Sequence, residues 1–161
     1  MEQYLSDWLR KTIELTDRKK DLLKEILQLT AAQAELLEPG QVQELLTLVK
    51  QRQKYVDDIT VIEAELLQTE AKILDACGIT FWPAGKTVYN SDWQKIDALR
   101  RDIQALLRET QILDKSNRLA ISTKCEELKI SIKSLRDRKV SLRAYHVTAL
   151  QPDGYFIDQK K

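Results

Sequence analysis

The chain has very little of what a catalytic centre or a cross-linked fold requires: one histidine, two cysteines, four glycines and three prolines in 161 residues. His146 is the only imidazole and is expected just past the last helix, so no serine or cysteine has a recognisable base near it in sequence. No HExxH, no CxxC and no glycine-rich loop opening a helix occurs. The adjacent acidic pairs Asp57-Asp58 and Glu126-Glu127 point about 100° apart on a helix and read as solvated faces rather than paired acids. No enzymatic activity, metal or cofactor is expected. Cys77 and Cys125 fall in different elements without metal-ligand spacing, and Cys125, at a helical position, reads as a small buried side chain. Long apolar runs are missing as well. The start, MEQYLSDWLRK, lacks the apolar core of a signal peptide, and no stretch approaches the ~20 apolar residues of a membrane span. The expected location is the cytoplasm, unless another system moves the chain. With only seven Gly and Pro together and 32% charged residues, the composition excludes a sandwich or barrel and fits long solvated helices in one domain.

What is present is a seven-residue apolar period. Trp8, Leu15, Leu22, Leu29 and Leu36 lie on one line of a helix, and Ile121, Leu128, Leu135 and Leu142 form a second line near the other end. Such a seam is built to be covered by another helix. The spacing predicts an all-α fold, an antiparallel hairpin plus a long third helix, with helices at about 2–37, 41–76 and 91–144 and a flexible tail at 145–161. Ser6 and Asp7 suit the first turn, Pro39-Gly40 ends the first helix, and Cys77-Gly78 ends the second at a C-terminal glycine. The first seam is expected to face Val42, Val49, Val56, Leu66 and Ile73. At ~1.5 Å per residue, the first two helices are roughly 50 Å long and the third nearer 80 Å. A hairpin covers only about the first 35 residues of such a third helix. The stripe Ile121, Cys125, Leu128, Ile132, Leu135 and Leu142 then lacks a partner, and it must fold back, dimerise or bind something. Each leucine left in water forgoes roughly 1.5–3 kcal/mol.

Charge is unevenly placed. Residues 1–76 have a balance of −5 and residues 115–145 a balance of +6. A basic half suits nucleic acid, but attraction between an acidic hairpin and a basic helix accounts for it equally, and only Tyr145 interleaves an aromatic ring. Asn117 sits where the seam spacing shifts from seven to eight, either as a hinge or register-fixing residue or as a solvated side chain beside the seam. The connection at residues 78–90 carries Phe81, Trp82 and Tyr89, which either fold back to cap the bundle or form an exposed contact patch. The tail Tyr155, Phe156 and Ile157 follows a Pro-Asp-Gly turn and either docks on a helix or partner or stays mobile.

Two stretches resemble the FlgN/FliT-type flagellar export chaperones. One is LLEPGQVQELLTLVKQRQKYVDDI, residues 36–59, similar to the family's link into its second helix. The other is ILDKSNRLAISTKCEELKISIKSLRDRKVSLRAYH, residues 112–146, followed by DGYFIDQKK, which is similar to the C-terminal half of Gram-positive members. The resemblance implies a cytoplasmic chaperone that keeps a late-exported subunit soluble, a hook-associated junction protein or a filament-cap protein. The export machinery and a second copy of the chain are further candidate contacts. The alternatives are a homo-oligomeric coiled-coil scaffold and, less favoured, a basic nucleic-acid-binding bundle.

Overall fold

The computed structural model describes residues 2–82 and 91–149. They form α1 (Glu2–Glu35), a 3-10 turn (Pro39–Gln41), α2 (Val42–Cys77) and α3 (Ser91–Ala149), with no strand among the described residues. The all-α expectation holds, and the helix ends shift. α1 stops at Glu35 rather than Leu37, where the Leu36 N–H bonds back to the Gln33 carbonyl at 3.2 Å. α2 begins and ends one residue later than expected. α3 continues to Ala149 rather than Ala144, so His146 is helical rather than beyond the helix. Gly78 closes α2 at φ 65°, its N–H directed to the Asp75 and Leu74 carbonyls, while the Ile79 N–H reaches Leu74 at 3.0 Å. This left-handed exit is cheap for glycine and strained for any residue with a Cβ.

The chain divides into two compact units, Met1–Ala120 and Ile121–Lys161. The first is a three-helix bundle of α1, α2 and residues 91–120 of α3. Its core has two clusters: Leu9, Ile73, Trp93 and Ile96, and Leu23, Ile26, Ile59 and Ile103. The first joins the start of α1 to the end of α2, so these two helices are antiparallel as the hairpin expectation requires.

The phase of the seams differs from the expectation. In α1 the line Trp8, Leu15, Leu22, Leu29 and Leu36 is half-buried, and the covered line runs one residue over, through Leu9, Thr12, Thr16, Leu23, Ile26, Thr30 and Gln33. Threonine joins a core seam because each hydroxyl is satisfied within its own helix. Thr12 donates to the Trp8 carbonyl at 2.9 Å, Thr16 to Thr12 at 2.6 Å and Thr30 to Ile26 at 2.7 Å. Thr69 of α2 and Thr110 of α3 do the same, and both are buried. The methyl group is then left to pack. In α2 the covered line is Leu45, Leu48, Arg52, Tyr55, Ile59, Ile62, Leu66, Thr69 and Ile73, spaced alternately by three and four. Leu66 and Ile73 are buried as expected, whereas Val42, Val49 and Val56 are exposed.

Ion pairs tie the helices of this unit together. Arg52 of α2 grips Asp114 of α3 with both guanidinium nitrogens, at 2.6 and 2.5 Å, and both side chains are three-quarters covered. Arg100 of α3 meets Glu70 of α2 at 2.5 Å, and Lys19 of α1 meets Glu63 of α2 at 2.7 Å. The bidentate, partly desolvated Arg52–Asp114 pair has the geometry in which such contacts contribute measurably.

In the second unit, residues 121–146 of α3 are exposed throughout, except for half-buried Lys124. Among the described residues no helix is long and apolar enough to cross a membrane.

Candidate protein-binding surface

Helical spacing puts Ile121, Cys125, Leu128, Ile132, Leu135 and Leu142 on one line of α3. All six residues singled out from the sequence therefore share a face, and all are exposed, the five aliphatic ones from 39% at Ile121 to 63% at Leu135 and Leu142. Cys125 is a free, exposed thiol, which corrects the expectation that it is buried: its place in the line is apolar, but no described residue covers that line. A depression bordered by Ile130, Lys133, Asp137, Arg138, Leu142 and Tyr145 is an open trough along one side of this helix rather than a cavity. A convex apolar line has no concavity to enclose a small molecule, and it suits another helix laid alongside it.

Three other features bear on the site. Asn117 is only 6% exposed, and its Nδ2 donates to the Thr30 carbonyl of α1 at 2.8 Å. Of the two readings of this residue, solvation is excluded: the side chain is a buried cross-helix contact, the kind that fixes register. Trp82 folds back on the first unit, its ring 4.4 Å from that of Trp93, with the Arg100 guanidinium 4.2 Å above it. Phe81 beside it is 76% exposed, so this connection supplies both a cap and a free ring. Tyr89, and Tyr155, Phe156 and Ile157 of the tail, lie outside the described residues.

One exposed line escaped the sequence reading. Val42, Leu46, Val49 and Val56 of α2 stand 39–49% exposed at heptad-compatible spacing. Three of them were expected in the core; the seam three residues further along, with Arg52 and Tyr55 in it, took that place. The signal that could have found this is Arg52 itself, a charged residue at a seam position that has a carboxylate, Asp114, to meet.

Among the described residues no group of three or more His, Cys, Asp or Glu is placed to hold a metal ion. Lys24 is held above the ordinary lysine range by its hydrogen bond to Asp21, a surface pair within α1 at 2.9 Å. This is a helix-surface contact with no reactive neighbour.

Fold and surface together define an all-α protein with a packed three-helix bundle and a helical segment whose apolar line is exposed. The family model described as FlgN protein matches residues 1–150, and the chain belongs to the FlgN family. Its members are chaperones of flagellum biogenesis, a family not known for enzymatic activity. Comparison with curated proteins and with solved structures gives no match.

Proposed function

We propose that this chain is a cytoplasmic export chaperone that binds a late-exported flagellar subunit, a hook-associated junction protein or the filament cap, along the stripe Ile121, Cys125, Leu128, Ile132, Leu135 and Leu142. The observation that carries this reading is the exposure of that stripe in a helix whose residues at the same period, Ile96 and Ile103, are buried. A chaperone of this kind stays stable with its binding face bare and gains the missing apolar cover from its client. Each stripe leucine covered by the client contributes roughly 1.5–3 kcal/mol to the gross association, before the costs of ordering and docking.

The test is the double substitution Leu128→Asp and Leu135→Asp, with purified late subunits mixed in turn with the full chain and complex formation followed by size-exclusion chromatography. The expected outcome is loss of the complex, with helix content and urea unfolding of the free chain almost unchanged. Collapse of the fold instead would make the stripe part of the core, and undiminished binding would remove it from the interface.

A further inference from the structure

The residues bordering the stripe restrict what can lie on it. With Cys125, Ile132 and Lys139 at a positions and Ile121, Leu128, Leu135 and Leu142 at d positions, the flanking e and g places are those that meet the partner helix across the seam. From residue 122 to residue 145 these flanks are Ser122, Lys124, Lys129, Ser131, Arg136, Arg138, Arg143 and Tyr145: five cations and no carboxylate. The three acidic residues of this stretch, Glu126, Glu127 and Asp137, fall at outer positions instead. Glu126 and Glu127 engage Lys129 at 2.6 Å and Lys124 at 4.0 Å within the helix. Among the described residues Arg136, Arg138, Lys139 and Arg143 have no ion-pair partner.

A helix C-terminus favours cations, but that preference fades within the last turn. Arg136 and Arg138 lie three turns before Ala149, where the dipole does not account for them. Self-pairing fails on the same ground. In a parallel pair of copies Lys124 meets Lys129 and Arg138 meets Arg143, and in an antiparallel pair the e flank faces e and the g flank faces g, again cation against cation. Like charges in this position destabilise a coiled coil and set partner choice. Lys139, inside the seam, adds a buried cation to each copy. Nucleic acid fits the cations but has no use for the aliphatic line between them, which carries no ring for bases to stack on.

We propose that the occupant of this stripe is an acidic amphipathic helix of a different protein, with aliphatic residues at its a and d positions and Glu or Asp at the flanks facing Arg136, Arg138 and Arg143. The inference rests on the reading of the stripe as the client-binding face and names the chemistry of the client segment. It also assigns a second role to the basic flanks: they keep two chaperones from covering each other's bare stripes.

Two synthetic helical peptides of equal length, both with Ile at a and Leu at d, one with Glu and one with Lys at every e and g position, test this on the full chain by fluorescence anisotropy at low and high salt. The Glu peptide is expected to bind on the order of tenfold or more tightly than the Lys peptide, with the preference shrinking as salt screens the flanks. Leu128→Asp/Leu135→Asp is expected to abolish binding of the Glu peptide. Equal affinity for the two peptides, or Glu-peptide binding that survives the double Asp substitution, overturns the proposal. So does binding of duplex RNA that is indifferent to that substitution and stronger than Glu-peptide binding. A separate measurement keeps the two readings apart. If Leu128→Asp/Leu135→Asp abolishes capture of a native flagellar subunit while Arg136→Glu/Arg138→Glu/Arg143→Glu leaves it unchanged, the acidic-client inference fails and the client face stands. If neither variant affects capture, both fail. Finally, Lys129→Glu/Arg136→Glu/Arg143→Glu makes the e flank acidic against the basic g flank. This variant is expected to dimerise in sedimentation equilibrium where the parent chain does not pair through the stripe. A parent dimer that Leu128→Asp dissociates would overturn the exclusion of a second copy.

Discussion

Residues 93–117 and residues 121–142 of α3 carry apolar side chains at the same helical period, yet the first set is buried and the second bare. Trp93, Ile96 and Ile103 are each at most 9% exposed, and the polar Thr110 and Asn117 continue their line just as covered, whereas every member of the stripe from Ile121 to Leu142 is exposed. The local sequences do not differ in amphipathic period; they differ in what borders the seam. Around the first set, cations and carboxylates occur together, and Arg100 and Asp114 find opposite charges on α2 at Glu70 and Arg52. Around the second, every charged flank residue is a cation. A heptad seam states that a partner helix is wanted, and the flanks state whether the same chain can supply it.

The largest expected effect that would break this comparison is on stability. Ile96→Ala removes a fully covered side chain from the Leu9–Ile73–Trp93 cluster and is expected to cost about 3 kcal/mol. Leu135→Ala, at the same period but exposed, should change the unfolding free energy by no more than about 0.5 kcal/mol. Urea denaturation followed by circular dichroism measures both, and similar costs would mean that residues 121–142 are packed in solution. A smaller effect separates the paired arginines from the unpaired ones. Arg52→Ala breaks a bidentate contact to Asp114 and is expected to cost about 1 kcal/mol, while Arg136→Ala leaves stability unchanged. A double-mutant cycle with Asp114→Ala should return most of the Arg52 loss as coupling energy. The smallest effect is a rate. Cys77 and Cys125 are both free and exposed, so both should be alkylated readily in the free chain. With a bound flagellar subunit only Cys125, which sits on the stripe, should slow; equal protection of Cys77, or none at Cys125, would place the client elsewhere.

Much of the fold was legible before the structure, and the misreadings share a physical cause. Helix number, helix order, the Gly78 terminus and the antiparallel hairpin follow from period and punctuation, because the apolar period and the left-handed demand at a helix end are local properties of the chain. The phase of the seams was misplaced in α1 because threonine counts as polar. With its hydroxyl bonded to the carbonyl four residues back, Thr12, Thr16 or Thr30 buries as a small apolar residue. The phase was misplaced in the first half of α2 because Val42, Val49 and Val56 read as more apolar than Leu48, Arg52 and Tyr55. Arg52 belongs in the seam only because Asp114, sixty-two residues away, receives it. The apolar line of residues 121–142 was easier to read than the core. A bare stripe needs no partner residue to define it, and its six members were on one face of one helix from spacing alone.

The sequence by itself determined that the chain is helical, where the helices turn, and that residues 121–142 present an apolar line between basic flanks. These are properties of neighbours three, four and seven residues apart, which the helix brings together without help. Only the tertiary structure decided which of two adjacent lines in α1 and α2 is covered, that Asn117 reaches across to the main chain of Thr30, and that Trp82 stacks on Trp93 beneath Arg100. Each of those outcomes depends on a group from another helix arriving to satisfy a hydrogen bond, a charge or a void, and no spacing along one helix encodes the arrival.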